Sequence, residues 1–216
     1  MKRLNKMQRE HEVITVAEGI ELHYFPRWIE DPDRDFLKAE QMSFSDETVT
    51  MHQKSNIVRR RTVDYGLPYR YNPTAKLSIE WEPLPWDLKQ RLEQQFGVDF
   101  PQCACNEFID CEAYLGPHRD KAAEVGDERR EPLYIASVSL GAMRKMVLIP
   151  PDVKLKGVPT TVNGLSKVPG SRVIELAPGS LLLFSNAFNR GWKHSIPKDR
   201  KDSAAGKRIS LTYRHF

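Results

Sequence analysis

Cysteine is scarce in this chain of 216 residues: only Cys103, Cys105 and Cys111 occur, crowded into one short segment. An odd, clustered set of three makes a poor disulfide framework for a chain this long, so a reducing compartment is expected. Long apolar runs are also missing, and the charged start MKRLNKMQRE leads into none of signal-peptide length. The expectation is therefore an intracellular protein without a membrane segment, cytoplasmic or, in a eukaryotic cell, nuclear. Nor does either charge dominate: 33 Lys and Arg stand against 29 Asp and Glu, a net charge of +4. That balance permits an anionic partner without requiring one. With 40% hydrophobic residues the chain is not a disordered tail, and its length suits one domain with one sizeable core.

Helical spacing appears twice in the first half. Trp28, Phe36 and Leu37 recur irregularly, with Pro32 suited to a first turn. Leu84, Leu88, Leu92 and Phe96 repeat every fourth residue, with Pro85 and Asp87 suited to the start and Gly97 to the stop. After residue 100 the period becomes alternating. Phe108 to Tyr114, Tyr134 to Leu140, Lys145 to Ile149, Arg172 to Leu176, Ser180 to Phe184 and Arg208 to Arg214 read as short strands of a sandwich or barrel. The charged stretch 121–131 and the Pro/Gly-punctuated stretch 150–170 read as lids or as solvated loops.

His118 and Asp120 follow a Gly116-Pro117 break, and in extended backbone positions i and i+2 project to one side. His194 lies far downstream, where a fold-back of sheet would bring it beside them. Two imidazoles and one carboxylate on one face of a metal leave coordination positions open, the arrangement of non-haem Fe(II) oxygenases. A His-x-Asp pair alone occurs often by chance, and the C-terminal strand adds weight to this one. In RISLTYR, Arg208, Ser210, Thr212 and Arg214 share one face, while Ile209, Leu211 and Tyr213 share the other. About 20 Å of backbone separates the two arginines, a span that a small dicarboxylate flanked by two inward-reaching side chains fills. The planar guanidinium fork binds a carboxylate bidentately. A plain edge strand with its arginines in water is the competing explanation.

Taken in order, NEF at 106–108, HRD at 118–120, IASVSLGAMRKM at 135–146, APGSLLLF at 177–184, His194 in WKHSIP and RISLTYR at 208–214 resemble the AlkB-like Fe(II)- and 2-oxoglutarate-dependent dioxygenases. The likeness spans roughly residues 65 to 214. It implies an α+β, mainly β fold: a double-stranded β-helix (jelly-roll) core with N-terminal helices packed outside. The chain is then a single domain over 1–216, with 1–64 a flanking region with helices and 65–216 a substrate-facing segment and core. By the same resemblance His118, Asp120 and His194 are the iron ligands. Arg208 and Arg214 bind 2-oxoglutarate, with Asn106 donating from its amide. Phe108 and Ser210 also belong to that co-substrate site. The cofactors implied are Fe(II), 2-oxoglutarate and O2. The implied reaction decarboxylates 2-oxoglutarate to succinate and carbon dioxide and hydroxylates a substrate carbon. On an N-methyl group the product collapses to formaldehyde, a net demethylation.

YGLPYRYNP at 65–73 resembles the segment in which this family presents aromatic side chains to an extruded base, with Tyr71 as stacker and Tyr69 beside it. A half-buried, Tyr-rich strand is the alternative. Arg59, Arg60 and Arg61 form a cation cluster of the kind that meets phosphates, and Lys198, Arg200 and Lys201 form another. Such runs are also ordinary solvated faces. Nucleic acid, DNA or RNA, is the expected partner of a monomeric enzyme acting in repair or in removal of modifications.

Three departures from the family pattern stand out. Phe108 stands where Tyr is usual, removing a hydroxyl that would meet 2-oxoglutarate. Ser210 replaces Asn. Lys121 and Ala122 follow HRD where an acidic residue is usual. These departures weaken co-substrate binding and leave substrate identity open. They keep two other functions in view: a hydroxylase of a protein or small molecule, and a nucleic-acid binding module that has lost turnover. The cysteines with His118 also make a Cys3His zinc set by ligand type, though with poor spacing.

Overall fold

The computed structural model describes residues 11–51, 54–67, 78–121, 123–125, 128–199 and 206–216. In chain order its elements are β1 (Glu12–Ala17), β2 (Ile20–Phe25), α1 (Pro32–Ala39), β3 (Ser45–Met51), β4 (Lys54–Gly66), α2 (Pro83–Phe96), β5 (Gln102–Phe108) and β6 (Leu115–His118). Then follow β7 (Ala123–Val125), β8 (Glu128–Arg130), β9 (Tyr134–Gly141), β10 (Arg144–Ile149), α3 (Val162–Leu165) and β11 (Arg172–Leu176). The chain closes with β12 (Leu181–Ser185), α4 (Asn186–Gly191), β13 (Lys193–Ile196) and β14 (Arg208–His215).

The strands build a jelly roll. Its large sheet runs β1-β2-β12-β9-β14-β5-β4-β3 and its small sheet runs β11-β10-β13-β6. Side-chain alternation gives the large sheet two different faces. Val63, Tyr65, Cys103, Cys105, Val138, Leu140, Ile209, Leu211 and Tyr213 point outward onto α2, whose Leu84, Leu88 and Leu92 complete that core. The Tyr213 hydroxyl donates to the Pro85 carbonyl and ties strand to helix at 3.0 Å. The opposite face carries Phe108, Ile135, Leu182 and Phe184, which pack against Met146, Leu148, Ile174 and Ile196 of the small sheet.

α1 starts at Pro32 as the sequence predicts, whereas α2 starts at Pro83, two residues ahead of the expected Pro85. Asp31 caps α1, accepting from the Arg34 amide at 3.1 Å, with Pro32 in the first turn. Gly97 ends α2 in the left-handed conformation at φ 70°. One expectation is corrected. The segment 108–114 is not a strand: β5 ends at Phe108, and Asp110 accepts from the amides of Glu112 (2.9 Å) and Ala113 (2.8 Å), folding the chain into an Asx turn. Beside α1, the described residues before 65 hold β1 to β4, which extend the large sheet at both of its edges. The stretch 121–131 holds the β7-β8 hairpin, and 150–170 folds around Leu165 and Val168, which pack on Val147 and Ile149. The three cysteines are unbridged, with Cys103 and Cys105 buried. Among the described residues no helix is long and apolar enough to cross a membrane.

Leu92 is fully buried between α2 and the large sheet. Leu92→Ala is therefore expected to cost about 2–5 kcal/mol of unfolding free energy, measured by urea titration. Metal binding by the folded fraction should be unchanged, because the side chain faces away from the sandwich interior.

Candidate active site

β6 and β13 pair at the open edge of the small sheet, and their register sets His118 directly opposite His194. Cross-strand pairing thus brings together two imidazoles remote in sequence, with ring centroids 4.3 Å apart. Pro117 lies on the edge strand β6, where a missing amide donor is tolerated. Asp120 follows just beyond β6, its Oδ1 3.6 Å from His118 Nε2 and 3.7 Å from His194 Nε2. One ligand atom from each of the three residues lies within 4.8 Å of the others, the only such cluster among the described residues. The cysteines take no part in it.

The cluster is held from behind. His118 Nδ1 lies 2.9 Å from the Gly116 carbonyl, a bond that places the proton on Nδ1 and leaves the Nε2 lone pair for a metal. Asn189, buried on α4, grips the Asp120 backbone twice: its Oδ1 accepts from the Asp120 amide and its Nδ2 donates to the Asp120 carbonyl, both at 2.9 Å. Arg214 donates through Nε and Nη2 to Asp120 Oδ2, each at 3.0 Å, and through Nη1 to Gln102 Oε1 at 2.7 Å. Oδ1 is left toward the imidazoles. Burial pushes the Asp120 carboxyl up, but Arg214, the hydrogen bond from His118 and the two nearby imidazoles outweigh it and hold the group well below the usual carboxylate range. Burial, with His118 and Arg214 adding to it against Asp120, drives His194 down to about 3. At neutral pH the site is one carboxylate and a neutral His194, in the state metal binding requires.

Deeper in the sandwich lies Arg208, 1% exposed. Its Nη2 donates to Ser139 Oγ at 2.9 Å, while its buried Nε and Nη1 have no hydrogen-bond partner. Its guanidinium sits 5.3 Å from the Phe108 ring centroid, and Arg144 lies 5.8 Å from that same ring. Burial, then the charge of Arg144, pushes Arg208 down to about 9. A guanidinium stays protonated at neutral pH even so, and a buried cation with two unmatched donors is costly until an anion fills the gap. A narrow cavity of about 50 Å³ joins the two ends, reaching from His118, Asp120 and His194 past Ser210 to Arg208. Metal-capable donors at one end and an unmatched cation at the other fit a small, elongated dianion that chelates at its near end.

A second, wider cavity of about 290 Å³ shares Asn106, Leu115, His118, Asp120 and Arg214 with the first and extends to Arg60, Thr62 and Asp64. The three consecutive arginines separate here. Alternation on β4 turns Arg60 to the cavity, whereas Arg59 pairs with Asp110 and Arg61 with the fully buried Glu107. Lys198 pairs with Glu112 at 3.4 Å. Tyr69, Tyr71, Ala122, Arg200 and Lys201 lie outside the described residues.

Residues 27–214 match the 2OG-Fe(II) oxygenase superfamily. The chain belongs to that family. Within it the oxygenase is AlkB-like: it is 32% identical over 157 residues to the rat alpha-ketoglutarate-dependent dioxygenase alkB homolog 3, covering 72% of this chain and 49% of the relative. It is 31% identical over 157 residues to the bovine DNA oxidative demethylase ALKBH2, covering 70% of this chain and 50% of that one. The chain thus spans about half the length of the curated relatives it matches. Among solved structures OsALKBH1 superposes with a TM-score of 0.55 at 17% identity, over 95% of this chain and 100% of that one. A Burkholderia pseudomallei oxidoreductase of the 2OG-Fe(II) oxygenase family gives 0.55 at 14% identity, over 89% and 84%. These two likenesses bear on the fold alone. The His118, Asp120 and His194 donor set and the unmatched Arg208 suit the Fe(II) and 2-oxoglutarate for which that family is named.

Sequence reasoning missed Asn189, Gln102 and Ser139. Each acts through tertiary contact, which leaves no trace in the local sequence.

The depressed His194 makes acid destabilising. An unfolded chain takes up a proton at this residue near its ordinary 6.5, whereas the folded chain resists until about 3. Stability of the metal-free protein should therefore fall as pH drops through that window, by about 1.4 kcal/mol per pH unit. Asp120, held low, adds to the loss at still lower pH. Urea titrations at pH 7 and pH 5 should differ by about 2 kcal/mol, and His194→Asn should remove most of that difference.

Proposed function

We propose that the oxygenase oxidatively demethylates N-alkylated nucleobases in DNA or RNA, acting as a monomeric, intracellular enzyme of one domain over residues 1–216. His118, Asp120 and His194 hold Fe(II), Arg208 receives the remote carboxylate of 2-oxoglutarate, and Asn106 and Ser210 flank the co-substrate. The observation that carries this reading is the pairing of two cavities at one metal-capable cluster: the narrow one ends on an unmatched buried guanidinium, and the wide one is lined by the cationic Arg60, Arg119 and Lys121. The names of the rat and bovine relatives support the reaction class.

Bound iron supplies oxygen activation, coupling decarboxylation of 2-oxoglutarate to hydroxylation of the substrate carbon. The protein's own residues place and exclude. Arg214 holds Asp120 with Oδ2 occupied, so that a single oxygen faces the metal. Phe108, Phe184 and Met146 keep water from the co-substrate slot. Arg60 meets backbone phosphate at the mouth of the wide cavity, with Arg59 and Arg61 on the other face of β4, and Tyr69 and Tyr71 stack on the extruded base. The methyl carbon gains one oxygen atom, and the resulting N-hydroxymethyl group releases formaldehyde while its hydroxyl proton passes to the ring nitrogen or solvent.

With Fe(II), 2-oxoglutarate and an oligonucleotide carrying N1-methyladenine or N3-methylcytosine, formaldehyde and the unmethylated base should appear together. His118→Ala and Asp120→Ala should abolish both products. Arg208→Met should raise the KM for 2-oxoglutarate about a hundredfold, the scale for leaving a buried charge without its partner. Succinate formed with the methyl group retained would show that the substrate class is wrong.

A further inference from the structure

The three residues of the metal-capable cluster are not held in place by the same means. His118 and His194 face each other in the β6-β13 ladder, so sheet pairing sets the separation of their backbones. Asp120 lies past the end of β6 and outside every strand, so no ladder bond holds its amide or its carbonyl. Asn189 takes both. Its Oδ1 accepts from the Asp120 amide and its Nδ2 donates to the Asp120 carbonyl, each at 2.9 Å. A primary amide sets an acceptor and a donor side by side, which is what a neighbouring strand would otherwise supply.

Asn189 is tied in turn to His194. It sits on α4, which fills the connection between β12 and β13, and β13 carries His194. Its neighbour Phe188 is fully buried, edge-on to Phe184 at 5.1 Å and stacked with Trp192 at 6.1 Å, so the short helix is anchored in the sandwich. The Trp192 amide donates to the Phe188 carbonyl at 2.8 Å and closes the last turn into β13. Asn189 itself is 4% exposed. A position so buried is ordinarily apolar, and an amide kept there needs partners. Here those partners are the main-chain groups of Asp120. Two other bonds act nearby: Arg119 Nη2 donates to the Gly191 carbonyl at 2.9 Å on the exposed side, and Arg214 holds the Asp120 carboxylate at its tip, through Oδ2.

We infer that Asn189 is a positioning residue that sets the metal affinity of the site by locking the main chain of Asp120 to the element that carries His194, an assignment that rests on reading His118, Asp120 and His194 as metal ligands and deepens that reading. Arg214 decides which carboxylate oxygen is left toward the imidazoles; Asn189 decides where the Asp120 backbone stands relative to them. Without the amide, Asp120 is held by its carboxylate tip and by the exposed Arg119 tie. The carboxylate then samples several placements, and affinity falls by the fraction of molecules that hold the right one. Contacts that orient a metal ligand from behind typically carry tenfold to a hundredfold in metal affinity. Arg208 stands on β14 of the large sheet and donates to Ser139, so the far end of the narrow cavity depends on none of these bonds.

The test is calorimetric titration of the metal-free protein with Mn(II), alongside urea titrations that establish the folded fraction of each variant. Asn189→Leu, similar in size but without either hydrogen-bonding group, should bind Mn(II) about tenfold to a hundredfold more weakly than wild type. Asn189→Gln, which keeps both groups on a longer stem, should recover part of that loss. At saturating Mn(II) both variants should bind 2-oxoglutarate about as wild type does. Leu92→Ala, destabilised in the other core, should bind Mn(II) like wild type. Unchanged Mn(II) affinity in folded Asn189→Leu overturns the assignment; where that variant does not fold, unchanged affinity in Asn189→Ala does so equally. Equal losses in Asn189→Leu and Asn189→Gln mark a packing role and overturn it, as does a matching loss in Leu92→Ala. Wild type that binds no Mn(II), or binds it as tightly after His118→Ala, overturns the ligand reading itself and this assignment with it.

Discussion

Everything at this site depends on how buried charge is balanced. Asp120 and Arg214 form a closed pair inside the sandwich, and Arg208 adds a second buried cation whose Nε and Nη1 are unmatched. A divalent metal and a doubly charged dicarboxylate add nothing to the net charge, yet together they give every charge a partner at contact distance. The empty protein therefore carries the electrostatic cost of Arg208 as a stored preference for one kind of ligand. The Arg208 row also explains why Phe108 is tolerated: its ring faces Arg208 and lies near Arg144, so the cation is met by an aromatic face where a hydroxyl is absent.

The jelly roll turns a linear pattern into this chemistry by alternation. On β14 one parity of residues, Ile209, Leu211 and Tyr213, makes the core with α2, while the other, Arg208, Ser210, Thr212 and Arg214, faces the cavities. The same rule on β4 sends Val63 and Tyr65 to the core and Arg60, Thr62 and Asp64 to the wide cavity. The narrow and the wide cavity are thus neighbouring zones of one sheet, joined through Asn106 on β5, and the metal-capable cluster closes them from the small sheet.

That alternation is also why so much was legible beforehand. The strands at 134–140, 145–149, 172–176 and 208–214 and the helix ending at Gly97 follow from period and punctuation. His118, Asp120, His194 and Arg208 follow from spacing and resemblance. What escaped has a physical cause in each case. The stretch 108–114 alternates like a strand, but Asp110 takes two backbone amides and folds it into a turn. The cluster Arg59 to Arg61 looks like one basic patch in one dimension, yet a strand divides it between two faces. Asn189 carries no local signal at all, because its role is to bind the backbone of Asp120 from a distant helix. Contacts between parts remote in sequence and polar groups satisfied across the fold are invisible to periodicity.

The most direct test of the central claim is a crystal structure of the protein with Mn(II), an oxygen-inert substitute for Fe(II), and 2-oxoglutarate. The account predicts one metal ion held by His118 Nε2, Asp120 Oδ1 and His194 Nε2, with the remote carboxylate of 2-oxoglutarate on the Nε and Nη1 atoms of Arg208. A metal bound elsewhere, or a co-substrate whose remote carboxylate leaves Arg208 unmatched, would contradict it.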